Sequence, residues 1–538
     1  MSVPDDKREA AARGLLHAWW AARIGDRPAL LTPHGDRTWA ELDANLNRLV
    51  RALRARGLRA GDAVAMMCTN GPEFIEVLYA AQRGGFRLTP INWHLTGDEA
   101  GYIVENCEAK AFVCSAELGD TAVVAATAGG PELLRLAVSH GDTGAAGTPT
   151  HGTPTHGTPA GFEDYAAVLA AEDDSVVEDP VLGSQMLYTS GTTGRPKGVH
   201  RDPTASASAL ATVNFCGYDE NWTGSLDAHL VTGPLYHAAP LAFSVAVPGL
   251  YGVPIVVMDR WDPVEFLRLV ERHGVTHTHM VPTMFHRLLA LPEEERRSYD
   301  TSSLRFVIHG AAPCPVPLKR RLIEWLGPVV VEYYAATEGL GTLVDSATWL
   351  EHPGTVGRPM APGLVKVGDD TGAELPPGEV GLVFLLAPPS TRFDYYGDPD
   401  KTANAFRGDY FTLGDMGYMD ADGFLFLTDR TANLIISGGV NIYPAEVDAV
   451  LLEHPAVGDV ATIGVPDEEW GEVVLAVVQP AEGAAGSDEL AAELMALCRD
   501  RLAHYKCPRR VDFVSQLPRE DTGKIFKRKL REQYRQRS

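Results

Sequence analysis

Three glycines, four Ser/Thr hydroxyls and one lysine fall within the twelve residues Tyr188-Thr189-Ser190-Gly191-Thr192-Thr193-Gly194-Arg195-Pro196-Lys197-Gly198-Val199. Glycine, lacking a Cβ, lets a backbone wrap closely around an anion. Successive amide N–H groups, joined by hydroxyls, can then cradle phosphate oxygens. A Walker A loop needs Gly-Lys-Ser/Thr in direct succession; here Arg195 and Pro196 separate Gly194 from Lys197. The string therefore fits a phosphate loop of another kind or a polar surface loop. Its companion is Val331-Glu332-Tyr333-Tyr334-Ala335-Ala336-Thr337-Glu338-Gly339, which joins an apolar strand to two tyrosines, a hydroxyl and a carboxylate. A tyrosine face can stack on a purine. A carboxylate beside a phosphate site suits Mg²⁺, a hard ion that takes oxygen ligands.

These strings need elements to hold them. Gln185-Met186-Leu187-Tyr188 reads as a short strand, and the Ala/Ser-rich run after Val199 as a helix. Upstream, residues 38–116 alternate the two patterns. A helix opens at Thr38 and stops at Gly57, a strand spans Ala63 to Met67, a helix Pro72 to Arg83, and a strand Arg87 to Ile91. Such alternation predicts a parallel α/β sheet, and the pattern resumes from Val181 to about residue 365. Between them, Gly147-Thr-Pro-Thr-His151 repeats as Gly152-Thr-Pro-Thr-His156. Gly, Pro and Thr cannot build a packed core, so residues 141–161 read as a flexible surface loop rather than a metal site at His151 and His156. Residues 366–427 read as short β segments. Past Thr431–Asn433, residues 434–538 carry βαβ-like signals of their own: helices at Glu446–Leu452 and Glu489–Leu502, strands at Val457–Val465 and Glu472–Val478. The expected architecture is α/β: a large N-terminal domain, 1–430, of parallel-type sheets with helices and a small β subdomain; a hinge at 431–433; and a small mobile α+β domain, 434–538.

Composition narrows the function classes. A chain of 538 residues exceeds a single core, and 45% hydrophobic with 22% charged residues fits a globular protein. A net charge of −24 excludes a global nucleic-acid footprint. The basic C-terminal stretch from Lys506 to Arg531 suits a small polyanion. Seven scattered cysteines without a C-x-x-C pair argue against a disulfide framework or zinc site and for a reducing, cytoplasmic setting. The run Leu230–Met258 contains no Asp, Glu, Lys or Arg and is long enough to span a bilayer. Its four prolines, Pro234, Pro240, Pro248 and Pro254, argue instead for buried strand and pocket wall, so no membrane span is expected.

Six strings in fixed order, from about Trp39 to Leu530, resemble the adenylate-forming superfamily of acyl-CoA synthetases, adenylation domains and luciferases, in wording most similar to bacterial fatty-acyl or carboxylic-acid CoA ligases. They are Tyr188–Val199, Pro234-Leu235-Tyr236-His237-Ala238-Ala239, the run from His309 to Pro313 with Glu332–Gly339, Leu413-Gly414-Asp415, Asp429–Glu446, and Glu520-Asp521-Thr522-Gly523-Lys524-Ile525. The resemblance implies that Thr189, Ser190, Gly191, Thr192, Thr193, Gly194 and Lys197 hold the ATP phosphates. It adds Gly310, Ala311, Ala312, Glu332, Tyr333, Tyr334, Thr337, Asp415 and Arg430 to the ATP/AMP site, with Asp415 and Arg430 at the ribose. It makes Lys524, Thr337 and His237 catalytic, assigns Mg²⁺ to Glu338 and Thr189, and lines an acyl pocket with Tyr236, His237, His309 and Gly310. Ser437, Gly438 and Gly439 would line a CoA tunnel, and Asn433 would be the hinge. Ala335, Leu413, Asp429, Ala432 and Asn433 depart from the usual motif residues.

The implied function is ATP- and Mg²⁺-dependent conversion of a fatty or aryl acid to acyl-AMP, with pyrophosphate release, then transfer to the thiol of CoA. The string at Pro234–Ala239 lacks the aspartate of amino-acid-activating relatives, which disfavours an α-amino acid. Alternatives are loading of a carrier protein in trans, or a biosynthetic relative activating nitrite; a non-enzymatic binding protein fits less well. The implied partners are small molecules, with the chain a monomer or homodimer.

Overall fold

The structure, a computed structural model, describes residues 3–143, 149–154, 157–189, 196–201, 216–218, 227–389, 391–430, 433–437, 440–467, 470–519 and 525–535. The chain forms two compact units: one of residues 1–280, 291–308 and 387–403, the other of 281–290, 309–386 and 404–538.

The first unit is built on parallel strands, as the alternating pattern predicts. Ser184–Gln185, Arg87–Pro90, Ala63–Met67, Ala109–Ser115, Leu134–Val138 and Glu163–Asp164 lie side by side in that order, every neighbouring pair parallel. The central strand, Ala63–Met67, is buried throughout, as expected for a sheet covered on both faces. The helix Trp39–Ala55 starts at a capping box, in which Thr38 and Glu41 satisfy each other's backbone N–H groups. The helix Pro72–Gly84 begins with proline in its first turn and ends on Gly85 in the left-handed region. A second sheet runs His277–Met280, His229–Val231, Ile255–Val257 and Pro28–Leu31 in parallel, with Arg37–Thr38 antiparallel at its edge.

Leu230–Met258 differs from the expected strand and wall. Only its ends are strands; between them Ala238–Leu241, Ala242–Ala246 and Val247–Tyr251 form one helical run with a π-helical turn in the middle. Pro240 falls in the first turn of the run, where its missing N–H costs little, and Pro248 follows directly on the π-helical turn, which interrupts the regular bonding there. Among the described residues no helix is long and apolar enough to cross a membrane. At the repeat, the backbone of Gly141–Thr143 pairs antiparallel with Pro149–Pro154. The helix expected after Val199 lies mostly outside the described residues.

In the second unit, Val330–Ala336, Gly339–Val344 and Arg358–Pro359 are antiparallel neighbours. The expected short β segments follow: Val365–Gly368, Gly381–Leu386, Phe406–Arg407, Tyr410–Phe411, Asp415–Met419 and Leu425–Arg430 make one sheet. Residues 435–535 have their own five-stranded sheet, in which the long strands Val457–Asp467 and Gly471–Pro480 pair antiparallel. Side chains alternate across a strand, and these strands use both faces. Val474, Ala476 and Val478 pack with Val447, Leu451 and Leu494. Leu475 and Val477 pack with Leu530 and Tyr534 of the last helix, Lys527–Arg535.

Candidate active site

In the first unit the glycine-rich string spans a hairpin. Leu187–Thr189 pairs antiparallel with Lys197–His200, and Thr189 lies opposite Lys197. Ser190, Gly191, Thr192, Thr193 and Gly194 fall between those paired ends and lie outside the described residues. Lys197–His200 also pairs with Asp394–Tyr395, so the hairpin is held on its far side. That contact brings Asp398 to Lys197, with Nζ–Oδ2 at 2.8 Å. Burial opposes the charge on Lys197, but the bond to Asp398 outweighs it and raises its pKa; the same bond lowers that of Asp398. Lys197 thus stays cationic at the base of the hairpin. Tyr236 and His237 sit together, ring centroids 4.4 Å apart. His237 is the N-cap of Ala238–Leu241, and its carbonyl accepts from Leu241 N–H.

In the second unit Thr337 and Glu338 are the two residues between paired Ala336 and Gly339. A hairpin turn therefore presents the hydroxyl and carboxylate together, and Glu338 is only 6% exposed. Tyr334 Oη donates to Asp415 Oδ2 at 2.8 Å, and Asp415 lies directly across the ladder from Arg430. Strands of two sheets so bring the Tyr334 hydroxyl to the Asp415 carboxylate, and Arg430 stands opposite Asp415 in the backbone register. Gly310 approaches the strand so closely that a Cβ there would lie 2.7 Å from both the ring and the carbonyl oxygen of Tyr333. Ala311 has φ of 67°, a conformation that costs a non-glycine residue energy and that clusters at functional sites.

Glu332 is placed differently from its neighbours. Its carboxylate is buried and takes Lys319 Nζ at 2.7 Å, with His309 Nε2 at 3.8 Å. Burial pushes its pKa up, and Lys319 opposes that rise. The side chain is thus committed inside the fold, where it steadies the strand that carries Tyr334. His309 is fully buried and edge-on to Phe285, centroids 5.0 Å apart.

Asn433 accepts at its carbonyl from Arg531 Nη2 at 2.7 Å. Ser437 pairs with Val440, so Gly438 and Gly439 fall between paired residues; both lie outside the described residues. So does Lys524, but its flanks are fixed: Arg519 pairs with Ile525, and Phe526 N–H donates to Pro518 at 2.8 Å.

Among the described residues no group of three His, Cys, Asp or Glu side chains is arranged to hold a metal by itself. Mg²⁺ does not need one, because it usually takes one or two protein oxygens and completes its shell with phosphates and water. The buried Glu338 carboxylate beside the Thr337 hydroxyl is an all-oxygen donor set of that kind.

The profile of the AMP-binding enzyme family matches residues 17–391, and that of the AMP-binding enzyme C-terminal domain matches 446–524. The chain belongs to the AMP-binding enzyme family. This AMP-binding enzyme is 35% identical over 530 residues to a feruloyl-CoA synthase of an Amycolatopsis species, covering 96% of this chain and 99% of the synthase. It is 32% identical over 515 residues to a fatty acid–[acyl-carrier-protein] ligase of Streptomyces coeruleorubidus, covering 94% and 93%. Its fold matches ATP-bound MatB from Rhodopseudomonas palustris with a TM-score of 0.81 at 29% identity, over 98% of this chain and 99% of that one. The family is one of ATP-dependent, AMP-forming ligases, which act with Mg²⁺.

Sequence reading of the enzyme missed the side chains that hold its candidates. Asp398 is 201 residues from Lys197, and Arg531 is 98 from Asn433. Lys319 is 13 from Glu332 but on a different element. No local spacing signals such pairs.

Proposed function

We propose that this AMP-binding enzyme converts a fatty or aryl carboxylic acid to its CoA thioester in two steps. First, a carboxylate oxygen attacks the α-phosphorus of ATP; the bond to the departing pyrophosphate breaks and acyl-AMP forms. Second, the CoA sulfur, as thiolate, attacks the acyl carbonyl; the carbon–oxygen bond breaks and AMP leaves. A carboxylate oxygen is a poor leaving group, and AMP is a good one. Phosphoryl transfer needs positioning and charge neutralisation more than covalent help. Tyr334, Asp415 and Arg430 hold the nucleoside, Gly310, Ala311 and Ala312 lie along the adenine, and the Thr189–Lys197 hairpin holds the phosphates. Glu338 with Thr337 and Thr189 supplies oxygens for Mg²⁺, which neutralises phosphate charge when bound. Lys524 donates to the charge developing at the α-phosphate. His237 and Tyr236 border the acid, and Ser437, Gly438 and Gly439 border the thiol's path. Rotation of residues 434–538 about Asn433 presents these two sets in turn, a gated domain motion.

The observation that carries this reading is Tyr334 bonded to Asp415 directly across from Arg430. The test is pyrophosphate release from ATP with lauric, ferulic or indoleacetic acid, with and without CoA. The reading expects acid-dependent release and thioester only when CoA is present. No acid-dependent release across a broad acid panel would refute it. Likeness to the carrier-protein ligase supports a second acceptor: release with CoA left unacylated, but a purified acyl carrier protein loaded, would move the acceptor from CoA to that carrier.

A further inference from the structure

The last helix, Lys527–Arg535, is fastened at two points besides its apolar face. Lys527 Nζ meets Asp448 Oδ2 at 2.9 Å, and Asp448 also accepts from Thr462 N–H at 2.6 Å. One turn on, Arg531 Nη2 donates to the Asn433 carbonyl at 2.7 Å. Leu530 and Tyr534, between and beyond these points, are buried in the same domain. The helix thus belongs rigidly to residues 435–535, and Arg531 ties to that body the peptide group that follows Asn433.

The geometry of a planar peptide gives this bond a consequence. Rotation about ψ of Asn433 moves its carbonyl together with everything downstream. A carbonyl fastened to the small domain therefore permits rotation at φ and ψ of Asn433 and at earlier bonds, and forbids it at Leu434. We infer that Arg531 is a positioning residue for the two-step reaction: it clamps the Asn433–Leu434 peptide to the small domain and so keeps the pivot at or before Asn433, barring it from Leu434. The inference rests on the proposed rotation about Asn433. It also joins the pivot to the Lys524 segment, since the Arg519–Ile525 pair that closes that segment is two residues from the start of the helix.

Two measurements on the full chain test it. Arg531→Met keeps the aliphatic stem and removes the donors. The carbonyl ¹³C resonance of Asn433 should shift upfield when its Arg531 donor is lost, with the resonances of Gly471–Pro480 unchanged. Arg531→Lys, with one donor in place of a fork, serves the same test if the Met variant does not fold. An unshifted Asn433 carbonyl resonance would overturn the clamp. The second measurement is a double-mutant cycle on steady-state thioester formation with ATP, CoA and whichever of lauric, ferulic or indoleacetic acid turns over fastest. Asn433→Pro blocks the pivot; adding Arg531→Met frees Leu434 as a substitute. The double variant should turn over at least as fast as Asn433→Pro alone, although Arg531→Met slows the parent enzyme. Losses that multiply would overturn the inference and leave the hinge reading standing. Asn433→Pro turning over like the parent would remove the hinge reading, and the inference with it.

Discussion

Tyr334 and Asp415 meet across neighbouring β elements, with Lys319 and Glu332 paired in the interior nearby. In residues 433–535 the candidate groups are arranged otherwise. Gly438-Gly439 and Lys524 fall between paired residues at segment ends, Ser437 with Val440 and Arg519 with Ile525. The first arrangement suits binding, because buried strands hold a site in shape before the ligand arrives. The second would suit delivery under the rotation proposed above, because groups at segment ends travel with the body that carries them. Lesions in the two regions should therefore read out differently: as stability and nucleotide affinity in the first, as the rate of one half-reaction in the second.

The largest expected effect is in the interior of the first region. Lys319→Met leaves Glu332 buried without its cation, and breaking a buried pair typically costs about 3–5 kcal/mol. Thermal unfolding should shift down accordingly, and adding Glu332→Leu should recover most of the loss. A Lys319→Met enzyme as stable as the parent would break the contrast, since the first region would then not depend on its buried pair.

Next comes Lys524→Ala. Losing one transition-state donor costs about 10² or more in rate. The loss should fall on acyl-AMP formation, measured by single-turnover pyrophosphate release, with thioester formation from preformed acyl-AMP and the melting temperature nearly unchanged. Equal losses in both half-reactions would remove the role given to Lys524. Tyr334→Phe is milder. It frees Asp415 from one hydrogen bond and should raise the KM for ATP by about tenfold, the scale of a bond to a charged group, with kcat little changed. A fall in kcat alone would move Tyr334 from binding to chemistry.

The smallest effect is expected from deleting residues 147–161. Shortening a loop changes its closure entropy only slowly with length, so melting temperature and turnover should hold. A collapse in either would give the repeat a structural role.

What was legible in the sequence follows the same division. Strands and helices with clear periodicity were legible to within a few residues, as at Ala63–Met67 and Asp488–Arg501. The Thr337-Glu338 pair stood out in the sequence as a candidate, but its place as a hairpin turn did not, because the pairing of Ala336 with Gly339 leaves no mark on residue types. The apolar run Leu230–Met258 misled: buried helix and buried strand share the same composition, and its prolines punctuate helical segments rather than end them. The partners of Lys197, Glu332 and Asn433 were illegible, since each comes from another element and depends on the folded chain.

The central claim is that one nucleotide site serves two reactions through rotation about Asn433. Proline at that position fixes φ near −65° and leaves the residues of both regions chemically intact. Rapid-quench measurement on Asn433→Pro, with ATP, CoA and an accepted acid, is the most direct test. The account predicts one burst of pyrophosphate, stoichiometric with enzyme, followed by strongly impaired thioester formation. Steady-state acyl-CoA production at the parent rate would contradict it.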